Sequence, residues 1–267
     1  IELEPPADSG CGLDRAQGFR SNAVDADNRT ADLCPGAGPC RRRTGRPEQP
    51  GAPLNVPPVP ASNYLLGGDR EYARDGSTPT WEALEAIIGS IEGGESVAFA
   101  SGMGAAAAVF DGLPAGARVA LPEDCYHGVS ELAREGEAQG AWTVERIAVE
   151  DTAAWLNALQ AVDLAWLESP SNPLLAVADL RAICAAERSP GVLLVVDNTF
   201  ATPLLQRPLE LGADIVVHSM TKFLNGHADV VAGIIVTSAE DQRTRLRNVL
   251  NHHGGCIDPH QAWLVHR

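Results

Sequence analysis

His218-Ser219-Met220-Thr221-Lys222-Phe223-Leu224-Asn225-Gly226-His227 follows directly on the apolar run Ile215-Val216-Val217, and Lys222 is the single lysine of a chain with nineteen arginines. Arg serves as a surface cation as well as Lys does, so a sequence that uses Arg everywhere else leaves Lys222 to be explained by its amine. An amine can give up its proton and attack a carbonyl; a guanidinium cannot. One lysine just past a strand-like run, beside the hydroxyls of Ser219 and Thr221, points to a Schiff-base nucleophile. On its own the observation also fits an Arg-rich composition with one stray lysine, and the neighbours decide between the two.

Working outward, short apolar runs recur at Val97–Ala100, Arg118–Leu121, Thr143–Val149, Leu164–Leu167, Val192–Val196, Ile215–Val217 and Val230–Val236. Helical stretches lie between them at 105–110, 129–139, 152–161, 179–187 and 204–211. A further helix precedes them, opened by Thr78 as cap and Pro79 in its first turn, and running through Trp81, Leu84, Ile88 and Ile91. Strands apolar throughout and separated by helices predict an α/β fold, a mostly parallel sheet with helices on both faces.

In such sheets ligands sit beyond the carboxyl ends of the strands. Five successive ends carry Ser101-Gly102-Met103, Asp124-Cys125-Tyr126, Glu168-Ser169-Pro170-Ser171-Asn172-Pro173, Asp197-Asn198-Thr199 and Ser219-Met220-Thr221-Lys222. The set suits pyridoxal phosphate. Lys222 supplies an amine for its aldehyde, and Asp197 an acid for its ring nitrogen. Tyr126 offers a face to stack on. The Gly102 and Met103 amides, with the Ser219 and Thr221 hydroxyls, form a nest for its phosphate, and Asn172 can donate to the ring hydroxyl. Ser101, Glu168 and Thr199 complete the candidate set. Singly, Asp197 also reads as a cap, Ser101-Gly102 as a turn and Tyr126 as a core-edge aromatic; it is their order on successive strands that points to a coenzyme.

These motifs, with Glu71-Tyr72-Ala73-Arg74-Asp75-Gly76-Ser77-Thr78-Pro79-Thr80 before them, resemble the Cys/Met-metabolism family of fold-type-I pyridoxal-phosphate enzymes over residues 50–267. The resemblance implies that Lys222 holds the coenzyme and that Tyr126 takes part in acid–base steps. It also implies that Tyr72 and Arg74 reach the phosphate of a neighbouring subunit, in a dimer or tetramer with shared active sites. The implied substrate is a small amino acid, and the expected activity is a cystathionine γ-lyase, with cystathionine γ-synthase (an activated homoserine ester plus a thiol) as the alternative. Methionine γ-lyases usually carry Cys two positions after the stacking tyrosine, where this chain has Gly128. A catalytically silent coenzyme-binding remnant and an aminotransferase are the remaining readings.

The sequence departs from the family in three places. The family continues beyond Asp258-Pro259-His260-Gln261-Ala262-Trp263-Leu264 into a smaller C-terminal domain with an arginine for the substrate carboxylate, expected here to be missing after Arg267. Glu131 stands near the position of a usual basic residue. Residues 1–60, rich in Pro, Gly and Arg, are unlike the family's start and read as an irregular arm. They would be followed by the coenzyme domain over 61–255 and a connection over 256–267.

Composition limits the remaining classes. A net charge of −15 excludes nucleic acid and anionic membrane as main partners. Six cysteines without metal-like spacing predict reduced thiols, and a chain without a signal-like start or spanning run is expected in the cytoplasm. His252, His253 and Cys256 are too irregularly spaced for a ligand set, and no metal is expected. Asp241, Arg243, Arg245 and Arg247 read as the solvated face of a helix.

Overall fold

The computed structural model describes residues 45–47 and 49–267; the arm expected over 1–60 lies largely outside them, and its described part contains turns but no named helix or strand. After the short helix α1 (Ala73–Gly76), α2 (Pro79–Glu92) starts where its caps require. The Thr78 hydroxyl accepts from the Trp81 amide, and Gly93 ends the helix at φ 96°, its N–H donating to Gly89 O. Strands and helices then alternate: β1 (Glu95–Phe99), α3 (Gly102–Phe110), β2 (Ala117–Pro122), α4 (His127–Ala138), β3 (Trp142–Ile147), α5 (Thr152–Ala158), β4 (Leu164–Glu168), α6 (Leu180–Ala185) and β5 (Leu193–Asp197). The chain closes with α7 (Thr202–Leu205), α8 (Pro208–Leu211), β6 (Ile215–Ser219), β7 (Gly233–Thr237), α9 (Glu240–His253) and α10 (Pro259–His266).

The seven strands form one sheet in the order β1-β7-β6-β5-β4-β2-β3. β3, β2, β4, β5 and β6 run parallel, as expected, whereas β7 is antiparallel to both β6 and β1. An apolar run carries no mark of direction, so the sequence could not distinguish this insertion from another parallel strand. The helix expected over 204–211 is two four-residue turns of helix, because Pro208 has no N–H to continue the first.

Alternation along the strands sorts the core into two faces. Val97, Phe99, Leu164, Trp166, Val195, Ile215 and Val217 face α3, α4 and α9. Ala165, Leu167, Leu194 and Val196 face α5 and α6, while Ala98, Ile234 and Val236 face α2 and α10. Trp155 and Trp166 are fully buried, one on each side. The boundary expected at residue 256 is not marked by a change in packing, since Ile257 and Ala262 are buried in one cluster with Leu84 and Ile88 of α2.

The solvated face expected on α9 needs correction. The Arg247 guanidinium lies 2.6 Å from Glu85 of α2, a carboxylate that also accepts the Ala98 amide, and Arg245 donates to Ala108 O. Arg245 and Arg247, two apart, leave the helix on different faces and reach α3 and α2 respectively, while Arg243 pairs with Glu240 nearer the surface. Cys125, Cys184 and Cys256 carry free thiols; Cys11, Cys34 and Cys40 lie outside the described residues. Among the described residues no helix is long and apolar enough to cross a membrane.

Candidate active site

Strand register sets the floor of the site. Glu168 and Asp197 are neighbours across β4 and β5, and Asp197 pairs with Val217 on β6, two residues before Ser219. The alternation that sends Trp166, Val195 and Val217 toward α3 and α4 sends Glu168, Asp197 and Ser219 the same way, into a cavity of about 270 Å³. Ser101, Gly102, Met103, Tyr126, Glu168, Asn172, Asp197, Thr199, Ser219, Thr221 and Lys222 all line it. Tyr72 and Arg74 do not: the Arg74 guanidinium lies 5.2 Å from the centre of the Tyr72 ring, and Tyr72 is 39% exposed. Phe200 and Val231 also line the cavity; Phe200 directly follows the Asp197-Asn198-Thr199 strand end and Val231 stood in an apolar run, but neither carries polar chemistry that would mark it.

One wall is the start of α3. The Ser101 hydroxyl caps the helix by accepting from Gly104 N at 2.9 Å, which leaves the first-turn amides of Gly102 and Met103 without helical partners. Small residues are required here. A Cβ on Gly102 would fall 2.8 Å from Ser219 Cβ, and one on Gly233 would fall 2.1 Å from Ser101 O. The backbone of α3 therefore rests directly on β6 and β7, and its amides and the Ser219 hydroxyl converge at one end of the cavity. The Thr221 hydroxyl is already engaged, donating to Ala232 O at 3.3 Å and accepting from Ala232 N at 3.1 Å.

Lys222 follows β6 in a turn whose backbone is fixed twice, by Lys222 N donating to Ser219 O and Gly226 N donating to Lys222 O. Beneath it Met220 is fully buried. Asp197 accepts from Thr199 N at 3.0 Å, and the Thr199 hydroxyl accepts from Ser219 N at 2.8 Å, so Thr199 ties the ends of β5 and β6 together. Asp197 thus makes the short-range turn that a cap reading of the sequence allowed, and it still faces the cavity.

The two carboxyls of the floor are not equivalent. Burial raises both above the ordinary carboxylate range, and the neighbouring Asp197 charge adds to the rise at Glu168. Asp197 is held back toward ionisation by its Thr199 hydrogen bonds and by the charges of His218 and Lys222. Glu168 has only the amides of Tyr126 and Asn172 against burial and the Asp197 charge, and is pushed up to about 8. Glu168 therefore keeps its proton at neutrality. Its Oε2 accepts from Tyr126 N at 2.8 Å and so fixes the start of α4, where the Tyr126 ring stands.

A stability effect follows. Unfolded, Glu168 ionises near its ordinary value of 4.5; folded, it does so near 8, so the chain loses stability as pH rises through that interval. Glu168→Gln is expected to flatten the decline and to raise Tm above wild type by several degrees at pH about 8.5, on a scale of roughly 2–4 °C per kcal/mol for a chain of this size. Thermal melts of the coenzyme-free proteins across pH check this; parallel curves for the two would mean that Glu168 is already ionised at neutrality.

The donor set fits pyridoxal phosphate as the sequence suggested: helix-start amides and a hydroxyl for an anion, a buried carboxyl, an aromatic ring and an amine on one cavity. Among the described residues no group of three or more His, Cys, Asp or Glu is placed to hold a metal ion.

Comparison with known proteins agrees with this fit. The family described as Cys/Met metabolism PLP-dependent enzyme matches residues 65–267. A cystathionine gamma-lyase of Bacillus subtilis is 39% identical over 206 residues, which is 74% of this chain and 52% of that protein. A cystathionine beta-lyase of Lactococcus lactis subsp. cremoris is 37% identical over 224 residues, 80% of this chain and 58% of that protein. The solved cystathionine gamma synthase of Xanthomonas oryzae pv. oryzae in complex with cystathionine superposes with a TM-score of 0.78 at 36% identity, over 85% of this chain and 60% of that one. The chain thus spans between about half and three-fifths of the length of these relatives.

Proposed function

This chain belongs to the Cys/Met metabolism PLP-dependent enzyme family, and we propose that it provides the coenzyme site of a trans-sulfuration enzyme that cleaves cystathionine on the γ-carbon side. The observation that carries the reading is the chain's single lysine opening on a cavity floored by Asp197.

Bound pyridoxal phosphate supplies an electron sink for a carbanion at the substrate's α-carbon. The protein's own residues then have separable tasks. Lys222 is the amine that would hold the coenzyme's aldehyde and, when free, the base that would take and pass on the substrate's α-proton. Asp197, facing the cavity, would hold a proton on the ring nitrogen by charge. Gly102, Met103 and Ser219 hold the phosphate, with Ser101 and Thr221 shaping that end. Thr199 holds Asp197 in place, Asn172 donates to the ring hydroxyl, and Tyr126 stacks and is placed to exchange a proton with the leaving group.

Two further points support the reading. A side chain at position 128 would meet Tyr126 Cε1 at 2.7 Å and Met103 Sδ at 2.8 Å, so the cysteine usual in methionine γ-lyases would require both side chains to shift. Tyr72 and Arg74 stand outside this cavity, in keeping with service to the phosphate site of a neighbouring copy in a dimer or tetramer.

The test is product analysis of the purified protein with pyridoxal phosphate. Cystathionine should yield 2-oxobutanoate, cysteine and ammonia. Pyruvate and homocysteine instead would mark β-cleavage, the activity named for the Lactococcus relative. Cystathionine made from an activated homoserine and cysteine, faster than it is cleaved, would favour the synthase reading.

A further inference from the structure

On the far side of the sheet from the cavity lies a polar network that none of the steps above uses. Glu92 ends α2, His218 precedes Ser219 on β6, and Asn198 follows Asp197; all three have essentially no exposed surface. A single oxygen, Glu92 Oε1, lies 2.7 Å from His218 Nε2 and accepts from Asn198 Nδ2 at 2.9 Å. Gln206 extends the chain of bonds, its Nε2 donating to Asn198 Oδ1 at 2.8 Å and to Ser169 O at 2.6 Å.

The positions matter more than the bonds. Each residue the network grips is adjacent in sequence to a member of the cavity floor: Ser169 to Glu168, Asn198 to Asp197, His218 to Ser219. Side chains alternate across a sheet, so successive residues face opposite ways, and the network binds the backs of the strand ends whose fronts form the floor. As a source of stability it is poor. Burying a carboxylate with an imidazole is commonly no better than burying apolar side chains of the same volume. Here Glu92 Oε2 and His218 Nδ1 are also left without hydrogen-bond partners. A group that adds little to stability and spans three strand ends at one point has a positional use.

We propose that Glu92, acting through His218, Asn198 and Gln206, is a positioning residue of the coenzyme site that fixes the relative placement of Glu168, Asp197 and Ser219. The inference rests on the coenzyme reading of the cavity. Glu85 provides an internal control. It is a second buried carboxylate of the same helix, but its partners, Arg247 and the Ala98 amide, touch none of these strand ends.

The experiment titrates the purified chain with pyridoxal phosphate, well below the melting temperature, and records the dissociation constant and the visible circular dichroism per bound coenzyme. Glu92→Gln and His218→Asn are expected to weaken binding on the order of tenfold, as loss of outer supporting partners does at other preorganised sites, and to change the dichroism. Glu85→Gln should lower Tm and leave both readings at wild-type values. Gln206→Leu, at a half-buried position, should show a smaller shift of the same sign and keeps the test available if the Glu92 variant does not fold. Lower Tm with unchanged affinity and dichroism in the Glu92, His218 and Gln206 variants would overturn the inference while leaving the coenzyme site standing. A wild type that takes up no coenzyme would overturn both.

Discussion

Lys222→Arg is expected to abolish covalent capture of pyridoxal phosphate and to reduce turnover by about four orders of magnitude or more. The substitution keeps the positive charge and most of the length, so a purely electrostatic role would survive it in part. It removes the only side-chain amine in the sequence, and a guanidinium neither condenses with an aldehyde nor acts as a base near neutrality. Losing a general base alone costs roughly 10²–10⁴, and losing the covalent tether adds to that. Borohydride reduction followed by peptide mapping should place the label of the wild type on Lys222 and find none on a side chain of the variant. Turnover within tenfold of wild type would remove Lys222 from the mechanism.

Asp197→Asn should move activity and stability in opposite directions. The Asn oxygen can still accept from Thr199 N, so the turn after β5 survives. What is lost is the charge that keeps a proton on the ring nitrogen, a preorganised electrostatic contribution for which a fall of about 10²–10³ in turnover is the usual scale. Without coenzyme that same charge is a burden, because burial disfavours it and Glu168 sits beside it in register. The coenzyme-free variant should therefore melt a few degrees above wild type, and Glu168, relieved of its charged neighbour, should titrate at lower pH. A variant less stable than wild type, or one of undiminished activity, would mean that Asp197 is held for its hydrogen bonds alone.

Much of this molecule was legible because its two strongest signals are local. Fully apolar runs ended in polar residues, and a buried parallel strand together with a ligand at its carboxyl end produces that pattern. The Thr78-Pro79 start and eleven of the residues that line the cavity followed from the same reading. Features that need the assembled fold were not legible. The direction of β7 depends on which strands it lies between, and Arg245 and Arg247 turn inward because Ala108 O and Glu85 wait for them. Glu92 had the least signal of all. In sequence it is an acid at the end of a helix, as common on a surface as anywhere, and only the fold brings His218 and Asn198 to it. Tyr72 and Arg74 remain where the resemblance left them, since nothing in a single chain brings them to a cavity.

The insertion of β7 bears on how the protein comes to exist at all. Among the described residues β1 pairs with β7 alone, with Val97 paired to Ile235, so a strand made early waits for one made much later. During synthesis the parallel block from β2 to β5 can begin to assemble as it emerges, while β1, held to α2 through Glu85, gains its strand partner only when β7 joins it to β6. Such non-local closure is slow and leaves an apolar edge open in the meantime. The same closure seats Gly102 against Ser219 and Gly233 against Ser101, so completing the sheet and bringing the start of α3 to the cavity are one structural event.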